Sequence, residues 1–127
     1  MGDLWLLDDL AQKGLVEAPF MVTLFFGRPG GTWSPASIDE FLHRSRALAE
    51  DTHAFASVTG ATHLQIETLA VLTGHHVRVG TEDEPHLSPG VLGNNEAHVA
   101  RMARIAHELG REVADVDTAR ELLAIPA

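Results

Sequence analysis

The chain has 127 residues, 45% of them hydrophobic, which fits one globular domain better than a disordered tail or a pair of domains. Eighteen acidic residues against nine basic ones give a formal charge of −9, which argues against a nonspecific nucleic-acid or anionic-membrane binder, since both need a basic surface. With no cysteine there is neither a disulfide framework nor a thiolate metal site.

The N-terminal "MGDLWLLDDLAQKG" has acids on both sides of a short apolar run, unlike the basic start and long apolar stretch of a signal peptide. No segment reaches the roughly 20 apolar residues of a membrane span. The expectation is a soluble, cytoplasmic protein. Leu4, Leu7 and Leu10 keep helical spacing and Gly14 is a helix stop, after which "FMVTLFFG" is a short continuous apolar run of strand type. "GRPGGTWSP" is a Gly/Pro loop. In it Ser34 and Pro35 read as N-cap and first-turn residue of a helix whose apolar face is Ile38, Phe41, Leu42 and Ala49. "HAFASVTG" is a second strand. Thr62 caps "HLQIETLAVLT", Gly74 ends it, and "HHVRVG" is the third strand. The stretch "GVLGNNEAHVARMARIAHELG" opens at Asn94 and Asn95, puts Val99, Met102, Ile105, Ala106 and Leu109 on one face, and stops at Gly110. A last short helix, "DTARELLAI", begins at Asp117.

The alternation is βα, and strands this apolar suit a parallel sheet covered on both faces. Residues 20–26, 53–58 and 75–80 are predicted to be adjacent parallel strands. Three such strands leave two open edges and a small core. A (β/α)8 TIM barrel takes about 250 residues, so residues 1–127 read as a single partial α/β domain of that barrel, about three βα units. The alternative is a small doubly wound sheet that recruits "LWLL" and "EVADV" as extra strands.

Parity in the third strand favours the barrel. Alternate residues face opposite ways, so Val77, Val79 and Thr81 share one face and His76, Arg78, Gly80 and Glu82 the other. The apolar face suits outer helices and the polar face a lumen, with Gly80 leaving a gap through which Arg78 rises toward Glu82. Asp83 has the wrong parity and joins them only if the chain bends there. Reactive groups of parallel barrels sit at the C-terminal ends of the strands, where these carboxylates fall.

"HHVRVGTED", followed by "GNNEAHVARMARIAHELGREVAD" and "ARELLAI", resembles the C-terminal signature of the beta-keto acid cleavage enzymes. "FFGRPGGT" resembles the glycine loop after the sixth barrel strand of that family. The resemblance covers nearly the whole chain but only the last three strands of the family's eight, which makes the chain the C-terminal part of the barrel. It departs from the family at Thr81, where Leu is usual, at Glu84, where Asn is usual, and at Asn94, Asn95 and Glu96, where Ser-Asn-Ala is typical. The resemblance implies a zinc enzyme that takes a β-keto acid and acetyl-CoA and yields acetoacetate and a new CoA thioester. Carried over, Glu82 is a carboxylate ligand of Zn2+, Asp83 the base that removes a proton beside the keto group, and Arg78 the cation that positions Asp83 and charged intermediates. A metal on the keto oxygen would stabilise the enolate as a Lewis acid. The family's other ligands, a His-x-His pair on the second strand, are absent from this chain.

Other residues have plainer readings. His75 and His76 face opposite ways and are taken as structural. Met102 is core filling, while Arg101, Arg104 and Glu108 form a solvated helix face. "GRPGGT" lacks the Lys-Ser/Thr of a phosphate loop, and His53 and His63 have no evident partner. Two functional classes follow. One is the C-terminal portion of a metal-dependent enzyme, working as a homo-oligomer or with a complementing N-terminal half. The other is a catalytically inactive piece or interaction module.

Overall fold

The computed structural model describes residues 1–31 and 33–125. Helix α1 (Gly2–Gln12) leads to β1 (Phe20–Phe26), α2 (Ile38–Ser45), β2 (Thr52–Val58), α3 (His63–Leu72) and β3 (His76–Arg78). A hairpin of β4 (His86–Ser88) and β5 (Val91–Leu92) precedes α4 (Asn95–Glu108) and α5 (Val116–Leu122). The three longer-range strands form one sheet in the order β1-β2-β3, and both pairings are parallel, as the sequence predicts. The small hairpin is antiparallel and separate; nothing in the sequence reading anticipated it.

Paired residues of a sheet share a face, so the register decides what is buried. Leu24 pairs with Ala56 and Ala56 with Val77, while Phe26 pairs with Val58. That face packs on Leu4 of α1, Phe41 of α2, and Ile66 and Ala70 of α3. Each large apolar side chain buried there contributes about 2 kcal/mol of transfer free energy. A second cluster of Val71, Met102 and Ala106 joins α4 to α3, with Val77 and Val79 against it. Helices therefore cover one face of the sheet. The opposite face carries Met21, Thr23 and Phe25 from β1, Phe55 and Ser57 from β2, and His76 and Arg78 from β3. A hollow of about 700 Å³ runs along β3, lined by Met21, Phe55, His76, Val99 and Met102 among others.

Several expectations shift. Ser34 does not cap a helix: its N–H donates to Phe25 O and its carbonyl accepts from Gly27 N–H, which extends the end of β1. The cap is Ser37, whose Oγ accepts from Glu40 N–H at 3.2 Å. Ile38 and Val99, expected on buried faces, are exposed. Position 98, next to Val99, turns inward instead, and His98 is buried. The last helix starts after Asp115, whose carboxylate accepts from Thr118 N–H, two residues ahead of the expected Asp117. The third strand ends at Arg78 rather than 80 because the chain turns at Gly80. "LWLL" is helical and residues 111–115 form no strand, so the doubly wound alternative loses both of its extra strands. No helix among the described residues is long and apolar enough to cross a membrane.

Candidate functional site

Because β1, β2 and β3 are parallel, their C-terminal ends lie together, and the polar residues of the open face meet there. Arg78 is the last residue of β3. Gly80 O accepts from both Asp83 N–H (3.1 Å) and Glu84 N–H (3.0 Å), a turn that folds Glu82 and Asp83 back over the strand end. The bend that Asp83 needed is thus present. Arg78 donates from Nε to Asp83 Oδ2 (3.1 Å) and from a terminal nitrogen to Oδ1 (2.9 Å), a two-point clamp. Buried Ser57, on β2, donates from Oγ to the same Oδ1 at 2.9 Å. The clamping nitrogen also reaches Glu82 Oε2 at 2.5 Å. The two neighbouring carboxylates are unlike in setting: Asp83 is 6% exposed and Glu82 is 78%. A charge-assisted, bidentate bond to a buried carboxylate orients it, whereas water screens the bond to an exposed one. Each carboxylate oxygen has about two acceptor sites. Asp83 Oδ1 has both filled and Oδ2 has one, so a proton or a polar ligand group can approach Oδ2.

The gap imagined beside Gly80 is already taken. A Cβ there would lie 3.0 Å from Asn95 Oδ1, which accepts from Thr81 N–H and Thr81 Oγ–H. Gly80 therefore admits the start of α4 rather than the Arg78 side chain.

Glu84 had no assigned role, yet it anchors the loop that bears Glu82 and Asp83. Its Oε2 accepts from Gly60 N–H at the end of β2, and its Oε1 accepts from His86 N–H and meets His86 Nδ1 at 2.9 Å. Burial alone would raise the Glu84 carboxyl; the hydrogen bonds from His86 and Gly60 outweigh it and hold the group below its ordinary value. Behind Glu84, Arg101 donates to Leu87 O and to His63 Nε2 (2.9 Å), with His98 Nδ1 at 3.4 Å. Arg101 thus leaves the solvated face expected of it and ties α4 to α3 and to β4. His63 completes the tie, its Nδ1 meeting Gly60 O at 3.0 Å. Burial pushes the His63 and His98 imidazoles down and the Glu67 carboxyl up to about 7. Glu67 Oε2 has no hydrogen-bond partner among the described residues.

At the other end of the open face, His76 stacks on Phe55 (4.9 Å) and its Nε2 lies 3.4 Å from His53 Nδ1. His75 points the opposite way, edge-on to Phe41. Past β1, Trp33 packs on Phe25 with ring centroids 4.9 Å apart, Arg28 lies over Trp33, and Arg78 lies over Phe25.

A catalytic zinc typically takes three protein ligands. Among the described residues no group of three or more His, Cys, Asp or Glu side chains could hold a metal. Glu82 offers one carboxylate, and one of its oxygens is already on Arg78. The described residues do not by themselves fit a zinc centre.

A family model described as "beta-keto acid cleavage enzyme" matches residues 1–125. A "3-keto-5-aminohexanoate cleavage enzyme" of Fusobacterium nucleatum is 31% identical over 115 residues, 90% of this chain and 41% of the relative. A "3-dehydrocarnitine:acetyl-CoA trimethylamine transferase" of Rhizobium meliloti is 27% identical over 124 residues, 98% of this chain and 41% of the relative. A "3-oxoadipate:acetyl-CoA acetyltransferase" of Cupriavidus necator is 34% identical over 88 residues, 68% of this chain and 31% of the relative. The chain thus spans about two-fifths or less of the length of these relatives.

Proposed function

Because the chain belongs to the beta-keto acid cleavage enzyme family, we propose that it forms the last three βα units of a (β/α)8 barrel and carries that barrel's proton-abstracting group, Asp83. The reaction is the cleavage of a β-keto acid with acetyl-CoA to give acetoacetate and a new CoA thioester. The observation that carries this reading is the buried Asp83 carboxylate, fixed by Arg78 and Ser57 at the C-terminal end of parallel strands, with one acceptor site left on Oδ2. General bases work when they are aimed before substrate arrives, and two-point clamping supplies that aim. In this reading Asp83 Oδ2 takes the proton from the carbon between keto and carboxylate groups. Arg78 keeps Asp83 in place and its positive charge faces the anion that forms.

Glu82 would be this chain's contribution to a metal site whose other ligands lie outside it. The remaining strands must come from a further part of the barrel, and the unpaired outer edge of β3 supports association with it or with a second copy. The relatives' names describe keto acids with an amino group, a trimethylamine group and, in 3-oxoadipate, a second carboxylate. One specific observation favours a second reading, a piece inactive by itself: among the described residues there is no three-ligand metal group.

The test is to mix this chain with the remaining N-terminal part of a family relative and follow CoA-thioester formation from acetyl-CoA and a panel of β-keto acids. Thioester is expected from the mixture and from neither part alone. A mixture that associates, stays soluble and binds zinc yet makes no thioester would count for the inactive reading.

A further inference from the structure

At the C-terminal end of the open face a cation, two rings and a second cation form a chain of contacts. The Arg28 guanidinium lies 5.3 Å over the Trp33 ring, Trp33 is 4.9 Å from Phe25, and the Arg78 guanidinium lies 5.6 Å over Phe25. The two ends differ. Arg78 is committed to Asp83 and Glu82, whereas Trp33 is the sole partner of exposed Arg28 among the described residues. The acids of the neighbouring strand end are paired elsewhere, Glu82 and Asp83 with Arg78 and Glu84 with Gly60 and His86.

A guanidinium held over an aromatic ring still has N–H donors to offer, and its planar fork matches a carboxylate with two parallel bonds. The backbone on either side of Arg28 is also restrained. Gly27 has a φ of 98° and a Cβ there would fall 1.9 Å from Thr59 O, and Pro29 fixes a second φ. A restrained cation loses less freedom when it captures a ligand.

We propose that Arg28 seats a carboxylate at the far end of the keto acid, so that this chain takes dicarboxylic β-keto acids and disfavours those with a cationic tail. The inference rests on the reading of Asp83 and Arg78 as the reacting end, with the Phe25–Trp33 pair as the apolar wall between the two ends. A positive charge at this place attracts a carboxylate and repels an ammonium group.

Trp33 lies under the proposed seat, so its emission reports binding without any turnover. With exposed Trp5 replaced (Trp5→Phe), Trp33 is the only indole in the chain. This variant is titrated with glutarate, with 4-aminobutyrate and with inorganic phosphate, and calorimetry repeats each titration. Glutarate should bind saturably, 4-aminobutyrate at least about tenfold more weakly, and Arg28→Gln should weaken glutarate about tenfold, while Arg28→Lys, which keeps the charge but loses the two-bond fork, recovers only part of the affinity. Equal binding of glutarate and 4-aminobutyrate, an unchanged glutarate affinity in Arg28→Gln, or no binding at all would overturn the proposal. Phosphate binding as tight as glutarate would overturn it too, marking a seat for the phosphates of the CoA substrate. None of these outcomes depends on thioester formation, so this inference and the catalytic reading fail separately.

Discussion

Glu82 and Asp83 are adjacent and alike in charge, and the structure gives them opposite surroundings. Strand parity is enough to put Arg78 and Glu82 on one face, and it also says that Asp83 joins them only through a bend. The bend at Gly80 O is what the structure adds. If the Ser57 bond helps aim Asp83, Ser57→Ala in an assembled barrel should lower kcat by about tenfold with little change in KM; an unchanged kcat would reduce Ser57 to packing. A second residue-scale prediction concerns Glu67, which is 2% exposed and has its carboxyl raised to about 7 by burial. Its folded value lies above the ordinary 4.5, so the fold favours the neutral form. The stability tied to Glu67 is therefore full below pH 4.5 and is lost as pH rises through 7. Glu67→Gln should stabilise the chain by up to about 3 kcal/mol at pH 8 and by little at pH 4.5, read from urea unfolding at each pH. A gain that does not change with pH would show that charge burial is not the cause. The Glu84, His63 and Arg101 ties were illegible in the sequence. Arg101 meets His63 from 38 positions away and Glu84 meets Gly60 from 24, and no local period encodes contacts that only helix packing creates.

At the scale of elements, hydrophobic runs and helix stops located every strand of the sheet and every helix, because those signals are local. The boundaries moved where backbone hydrogen bonds competed for a residue. Ser34 is a good cap by type, but the end of β1 uses its backbone groups and Arg44 donates to its Oγ, leaving the cap to Ser37. Ser37→Ala should then cost about 1 kcal/mol while Ser34→Ala acts through Arg44 rather than through capping; equal helix loss in both by circular dichroism would contradict the assignment. Gly27 is held by its neighbour strand as well as by its φ, since Thr59 N–H donates to Phe26 O at the same point. Gly27→Ala should destabilise by at least about 2 kcal/mol, visible as a lowered unfolding midpoint. No local pattern marks Arg111, yet it donates to Val71 O and His75 O and reaches Gly74 O, closing the C-terminal end of α3 where a cation suits the helix dipole.

For the whole molecule, the sheet order leaves the outer edge of β3 without a strand partner among the described residues, and Met21 stands exposed on the open face. Such an edge and face drive association. The isolated chain should sediment as oligomers, and a compact, monodisperse monomer would weaken the reading as part of a barrel. With one carboxylate to offer, it should also bind zinc weakly or not at all; tight, stoichiometric zinc would mean ligands among His53, His76 and His86 that the geometry does not bring together in threes. The most direct measurement of the central claim compares Asp83→Asn with Glu82→Gln in the assembled barrel, following thioester formation and zinc content side by side. Asp83→Asn should keep the zinc and lose activity by about a thousandfold, within the range of a general base, while Glu82→Gln should lose both. Zinc lost with Asp83→Asn and kept with Glu82→Gln, or activity surviving Asp83→Asn, would contradict the assignment of Asp83 as the base.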